Sequence, residues 1–247
     1  MINKIKKNHK TIIIIPARLE SKRLDKKLLR DIQGKPMIQR VVEKAKEYGF
    51  SKVIVATDSK EIFKLCKKNN FEVMMSLQKH KSGTDRVYEA YSRQNLFFDI
   101  VINLQGDLPL FEKDLIDSLI GLFDDKNVDI GTAVCDLKPE EINDKNVVKA
   151  RVKLNGKIGY AIDFKRTIKS VKDNFHHIGI YAFRPKKLEQ FVDLPQSENE
   201  INRNLEQLRA VDNNFKIKVI KVKNNPPSVD TLDDLEKIRL IFKKNNL

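Results

Sequence analysis

Tryptophan is absent, cysteine occurs twice and glycine nine times in 247 residues. With so few cysteines no disulfide framework is available; Cys66 and Cys135 fall within apolar helical and strand patterns, where the thiol serves as a small buried hydrophobe. The glycines are spaced neither as a Walker A loop nor as the three-glycine dinucleotide fingerprint, which excludes both of those phosphate-binding devices. Long apolar runs are missing too: the four isoleucines Ile12–Ile15 suit a buried strand, whereas crossing a bilayer takes roughly 20 residues. No membrane association is expected. The basic segment Met1–Lys10 has no apolar stretch of signal-peptide length behind it, because Pro16 and Arg18 interrupt the run, and a cytoplasmic location follows.

What is abundant is positive charge: Lys and Arg number 48 against 34 Asp and Glu, a formal net charge of +14. Such a balance can neutralise nucleic-acid phosphates. The lysines, however, are scattered through nearly every segment beside Asn and Ile rather than gathered on one helix or interleaved with aromatics, so no nucleic-acid partner is expected. Hydrophobic residues at 40% and charged residues at 33% describe a globular chain long enough for a substantial core, and residues 10–247 read as a single domain.

Along the chain, Thr11–Ile15 and Val53–Thr57 read as buried strands, with a further strand over Phe71–Met75 and another over Ile100–Leu104. Helical spacing of Met37, Ile38, Val41, Val42 and Ala45 predicts a helix between Pro36 and Gly49. Asp58 with Glu61 predicts a capped helix through about Lys68, and Ser82-Gly83-Thr84 opens another. Strand alternating with helix predicts an α/β, doubly wound parallel sheet whose strand ends hold a ligand. The second half differs: Val147–Leu154, Ile158–Phe164 and Ile178–Phe183 read as strands, the first two joined at Asn155-Gly156, giving a β-rich insertion over 147–192. Helices are expected over Pro185–Val192 and Glu200–Ala210, a strand over Ile217–Val222, and a last helix capped by Thr231 and Asp234.

Ile15-Pro16-Ala17-Arg18 leaves a buried strand and is followed by Ser21, Arg23, Lys26, Lys27 and Arg30. A loop with backbone donors and several cations at a strand's carboxyl end can hold a polyphosphate, although by itself it fits any phosphate ligand or a merely solvated basic loop. Asp107 follows a strand and a glycine, and Asp230 stands just before a capped helix; either could equally be a turn-forming aspartate.

Taken together, the segments Ile-Pro-Ala-Arg with Ser21, Arg23, Leu24 and Lys27, Gly34-Lys35-Pro36-Met37-Ile38, Ser82-Gly83-Thr84-Asp85-Arg86 and Asn103-Leu104-Gln105-Gly106-Asp107 resemble the 3-deoxy-manno-octulosonate (Kdo) cytidylyltransferase family. Phe175-His176-His177-Ile178-Gly179-Ile180-Tyr181, Leu205-Glu206-Gln207-Leu208-Arg209 and Val229-Asp230-Thr231 continue the resemblance in the same order, which spans roughly residues 11 to 240. It implies a Rossmann-like nucleotidyltransferase sheet of the glycosyltransferase-A type with a smaller β-rich insertion that serves dimerisation, and the reaction of CTP with Kdo to give CMP-Kdo and diphosphate for lipopolysaccharide synthesis. It further implies Mg2+ on Asp107 and Asp230, Arg18, Lys27 and Asp107 as catalytic groups, and a homodimer. Nucleotide contacts would come from Ala17, Arg18, Ser21, Arg23, Lys27, Ser82, Gly83, Arg86 and Gln105. The acid sugar would be met by Arg166, His177, Tyr181, Glu206 and Gln207. Departures from the family pattern stand at Asp25-Lys26, where Pro-Gly is usual, at Leu108, often a glutamate, and at Asp163 and Lys165. Another acidic sugar, such as an amino-Kdo, a sialic or a legionaminic acid, and a non-catalytic nucleotide- or RNA-binding module are the alternatives.

Overall fold

The computed structural model describes residues 9–21, 23–50, 52–77, 80 and 82–245, so most of the basic segment Met1–Lys10 lies outside the described residues. Thr11–Ala17 form β1, in which the Ile12–Ile15 side chains retain no exposed surface, as β-branched residues covered on both faces should. Asp31–Ile32 (β2) and Lys35–Pro36 (β3) make a short hairpin; its turn residues Gln33 and Gly34 have φ of 49° and 81°, the two positive values a type I′ turn requires. Helix α1, Met37–Glu47, buries the five apolar residues anticipated from their spacing, and Gly49 leaves it with φ 77°.

Strand β4 (Lys52–Thr57) leads into α2 (Lys60–Lys68), whose N-cap is Ser59 rather than Asp58: the Ser59 hydroxyl accepts from the Ile62 amide, while Asp58 accepts from Arg86. Both residue types cap helices, and only the tertiary partner of Asp58 separates them. β5 (Val73–Met75) is shorter than its sequence suggests; α3 (Gly83–Ser92) opens on a reciprocal Ser82–Asp85 capping box, and β6 covers Ile100–Asn103. Helix α4 (Lys113–Gly121) and the wholly buried strand β7 (Ile130–Cys135) are elements the sequence reading did not assign.

β8 (Lys149–Asn155) and β9 (Ile158–Lys165) form the expected hairpin, with Gly156 at φ 64° in its turn. β10 is longer than anticipated, Asn174–Phe183, and is followed by α5 (Pro185–Asp193). Where one helix was expected over Glu200–Ala210 there are two, α6 (Glu198–Arg203) and α7 (Leu208–Asp212), because Asn204 turns left-handed at φ 51° and ends the first. β11 (Ile217–Lys221) and α8 (Leu232–Lys244) complete the chain, α8 carrying the Thr231–Asp234 capping box as expected.

The chain divides into two compact units. The first comprises Thr11–Phe97, Ile102–Glu112 and residues 226–245 and carries strands in the order β5-β4-β1 with the Ile102–Asn103 end of β6; β1 with β4 and β4 with β5 are parallel, the expected doubly wound pattern. The second comprises Lys113–Asn225 with His9, Lys10 and Phe98–Val101. Its strands run β10-β7-β11-β9-β8, and β8 also pairs with β10 through residues 174–176, so that they close on themselves. Gly131 in β7 lets the Phe123 ring approach: a Cβ there would stand 3.0 Å from it.

Candidate active site

In the first unit, the turn after β1, the turn after β6 and the segment just before α8 bring four charged side chains together. Lys27 Nζ donates to Asp107 Oδ2 at 2.6 Å and to Asp230 Oδ1 at 3.0 Å, and Arg23 Nη2 meets the same Asp230 oxygen at 2.9 Å. Their backbones are fixed as well, since the Val229 amide donates to the Asp107 carbonyl at 3.1 Å and the Asp230 amide to the capping residue Asp234. Gly106 is closely packed: a Cβ there would stand 3.2 Å from a Leu28 methyl and 3.3 Å from an Ile38 methyl, so those side chains would have to give by a few tenths of an ångström. Burial alone would push the Lys27 pKa down, but the Asp107 and Asp230 carboxylates outweigh it and leave the ammonium above the ordinary lysine value.

The remaining nucleotide candidates are distributed around this cluster's unit. Ala17 ends β1 fully buried, Arg18 is exposed and Ser21 half-buried. Ser82 caps α3, with its hydroxyl accepting from the Asp85 amide and its own amide donating to Asp85, so that its side chain already serves the helix. Gly83 is exposed at the first position of α3, and a Cβ there would meet nothing nearer than Pro16 at 3.7 Å. Arg86 is buried and donates to Asp58 at 2.6 Å and to Ser76 at 2.9 Å, which makes it a strut under that helix. Gln105 donates to Asn103, which donates in turn to Thr84.

The departures at residues 25, 26 and 108 have local explanations. Lys26 occupies the left-handed region at φ 48°, where glycine is the easy choice, and its ammonium pairs with Glu61 at 3.0 Å rather than joining Lys27. Asp25 offers its carbonyl to Arg30, and Leu108 is buried in the core.

The second unit gathers most of the other set. The His177 ring lies 5.0 Å from Phe164 and 5.4 Å from Tyr181 between centroids, and Glu206 is close enough to act electrostatically on Tyr181. Burial, and then that carboxylate, hold the Tyr181 phenol well above its usual range. Burial, followed by the neighbouring His176, lowers the His177 pKa to about 3, so the ring is neutral. Its outward neighbour His176 pairs instead with Glu141 and Asn225, as alternation along the strand requires. Glu206 and Gln207 were expected on a helix; they lie in the turn between α6 and α7. A buried pair underpins that turn, with Arg209 donating to both oxygens of Glu200 at 2.8 and 2.7 Å.

Arg166 is half-buried just after β9 and donates to the carbonyls of Lys145 and, at 3.5 Å, Asn204. Its own carbonyl accepts from Lys149, a fully buried ammonium that also reaches the Asp144 carbonyl. Asp163, beside it in sequence, pairs with Arg203 at 2.6 Å and with Lys165. Lys149 and the buried Thr132 on β7 were not among the sequence candidates. The one readable signal for Thr132 is a hydroxyl inside an otherwise apolar buried run, Ile130–Cys135.

A parallel α/β unit that gathers two carboxylates and two cations beside the carboxyl ends of its strands is the arrangement expected of a nucleotidyltransferase. The family model described as cytidylyltransferase matches residues 12–219. Among named relatives, the 3-deoxy-manno-octulosonate cytidylyltransferase of Agrobacterium fabrum is 39% identical over 239 residues, covering 94% of this chain and 95% of the relative. That of Bartonella henselae is 40% identical, covering 94% and 98% respectively. A solved structure described as CMP:2-keto-3-deoxy-manno-octonic acid synthetase complexed with CTP superposes with a TM-score of 0.86 at 34% identity, covering 96% of this chain and 99% of that one. A cytidylyltransferase from Leptospira borgpetersenii, 17% identical with a TM-score of 0.61, shares the fold. The chain belongs to the 3-deoxy-manno-octulosonate cytidylyltransferase family.

Proposed function

We propose that this enzyme transfers the cytidylyl group of CTP to the anomeric hydroxyl of Kdo, giving CMP-Kdo and diphosphate. The observation that carries the reading is the junction of Lys27 with Asp107 and Asp230, found in a chain of this family. The sugar hydroxyl attacks the α-phosphorus and diphosphate leaves in line, with no covalent enzyme intermediate, so the protein's task is to gather negative charge and orient two reactants. Lys27 and Arg23 neutralise charge that builds on the phosphate oxygens, Arg18 and the Gly83 amide grip the triphosphate, and Gln105 and Ser82 border the nucleotide. Arg166 takes the sugar carboxylate as an ion pair, while His177, Tyr181, Glu206 and Gln207 sort its hydroxyls.

Two carboxylates whose oxygens already converge on one cation, the Lys27 ammonium, fit a hard divalent ion that draws its other ligands from phosphate and water. Asp107 and Asp230 would hold Mg2+, which when bound supplies neutralisation and orientation of phosphate oxygens. Homodimerisation is supported by Ile158, Tyr160 and Ile162, which recur at period two on the exposed face of β9 and stay 40–47% accessible. Multi-angle light scattering giving a monomer mass at micromolar concentration would remove that part of the reading. On this reading the product serves lipopolysaccharide synthesis and the reaction runs in the cytoplasm, a reading supported by the chain's membership of this family.

The test is pyrophosphate release by purified protein with magnesium, each of the four nucleoside triphosphates and a panel including Kdo, amino-Kdo, sialic and legionaminic acids. CTP with Kdo is expected to give the highest kcat/KM. Release with no acid sugar would sink the assignment, and a strong preference for another sugar would move it within the class.

A further inference from the structure

Thr132, fully buried in the middle of β7, stands opposite an irregularity in β10, where the register steps from Ile178 against Ala133 to Tyr181 against Thr132. The step turns two β10 carbonyls toward one hydroxyl: Thr132 Oγ1 lies 2.8 Å from the Ile180 oxygen and 3.3 Å from the Ile178 oxygen, and 3.0 Å from His177 Nε2. A carbonyl oxygen carries no hydrogen, so a 2.8 Å contact with it requires the single hydroxyl proton to point there. The hydroxyl then has only a lone pair to offer the imidazole, and Nε2 must be the donor.

We infer that Thr132 is a positioning residue that locks His177 as the Nε2–H tautomer, leaving Nδ1 as a hydrogen-bond acceptor for a substrate hydroxyl and making His177 unfit to receive the substrate carboxylate. The neutral ring that burial imposes is consistent with this, since a second proton would have to sit on Nδ1. Among the described residues Nδ1 has no hydrogen-bond partner in the structure, and the ring's edges are confined by Phe164 and Tyr181, so the acceptor has a fixed direction. Substrate discrimination follows: an acid sugar lacking the matching hydroxyl loses one hydrogen bond, and a carboxylate brought to Nδ1 meets a lone pair. The acceptor role rests on the acid-sugar reading above; the tautomer does not.

The experiment has two arms. Long-range proton–nitrogen spectra of uniformly 15N-labelled protein at pH 7 are expected to show His177 with a protonated Nε2 and a bare Nδ1. A protonated Nδ1, alone or with Nε2, would overturn the proposal. In kinetics, Thr132→Val is expected to raise KM for the acid sugar about three- to tenfold, the loss of one well-directed hydrogen bond, with KM for CTP changed less than twofold. Thr132→Ser, which keeps the hydroxyl and guards against a folding artefact in the valine variant, should restore both the spectrum and KM. Equal changes in both KM values, or none in either, would defeat the positioning role. Absence of turnover with every sugar acid would overturn the substrate reading and with it the acceptor role, while the spectrum separately decides the tautomer.

Discussion

Around Lys27 four charged side chains hold one another, whereas around His177 enclosed groups, neutral but for the Glu206 carboxylate beside Tyr181, are held by packing and directed hydrogen bonds. The side chain of Lys27 keeps 13% of its exposure and that of Asp230 keeps 40%, so the first cluster is partly hydrated, and under the proposed function its partners would be exchanged for phosphate oxygens and a metal ion when nucleotide arrives. His177 is 7% exposed and Thr132 not at all. Rearranging that second region would strand donors in a dry interior at about 1–3 kcal/mol each. The contrast teaches which kind of selectivity each can have: mobile charge suits a polyphosphate recognised by total charge, and fixed neutral polarity suits hydroxyls that must be told apart by direction.

Removing Asp107 should break the first region most severely. Asp107→Ala is expected to lower kcat by about a thousandfold or more with an unchanged circular dichroism spectrum, since the proposed metal-ligand role would supply several kcal/mol. Retained turnover would take Asp107 out of the site. Next, Lys27→Met should cost about a hundred- to a thousandfold in kcat with a smaller effect on KM for CTP, as for loss of a preorganised charge. A change confined to KM would mean that Lys27 only binds.

In the second region the largest effect should be on stability. Arg209→Met leaves Glu200 buried without its partner and should destabilise by about 3–5 kcal/mol in urea unfolding, with a raised KM for the acid sugar because Glu206 and Gln207 ride on that turn. Burial alone would raise the Glu200 pKa, but Arg209 and the other donors outweigh it and hold it below the ordinary 4.5. The stability from this pair is therefore fully present above pH 4.5 and is lost as pH falls through the lower folded-state value. If Arg209→Met shows the same acid profile as the parent, the pair is not its source. Smallest of all should be Glu61→Gln, which breaks the Lys26 tether between side chains that are 52% and 47% exposed. About 0–1 kcal/mol and less than a twofold change in kcat are expected. A larger loss would show that the first region depends on a fixed loop after all.

Much of the first unit was legible because its signals are local. Continuous β-branched runs, helical spacing in Met37–Ala45 and the caps at Ser82 and Thr231 each fix a short stretch of backbone without reference to the rest of the chain. What failed were choices between equal local options. Asp58 and Ser59 both cap helices, Asn204 stops a helix that spacing would continue, and the short apolar stretch around Cys135 carries no boundary signal that marks out β7. Arg86 was expected from the resemblance to meet the nucleotide, and its burial and its role as a strut appear only when Asp58 and Ser76 stand beside it.

The sequence by itself determined the ordered set of segments from Pro16 to Asp230, and with it the family and the residue types available for phosphate and acid-sugar chemistry. Backbone hydrogen bonding and side-chain periodicity act over a few residues, so those properties are written locally. Tertiary structure alone decided that one ammonium joins carboxylates 80 and 203 residues away, that Lys26 turns from the site to Glu61, and that a threonine on an unassigned strand dictates which nitrogen of His177 carries its proton. Proton position and charge pairing depend on which atoms lie within about 3 Å, and no spacing along a chain specifies that.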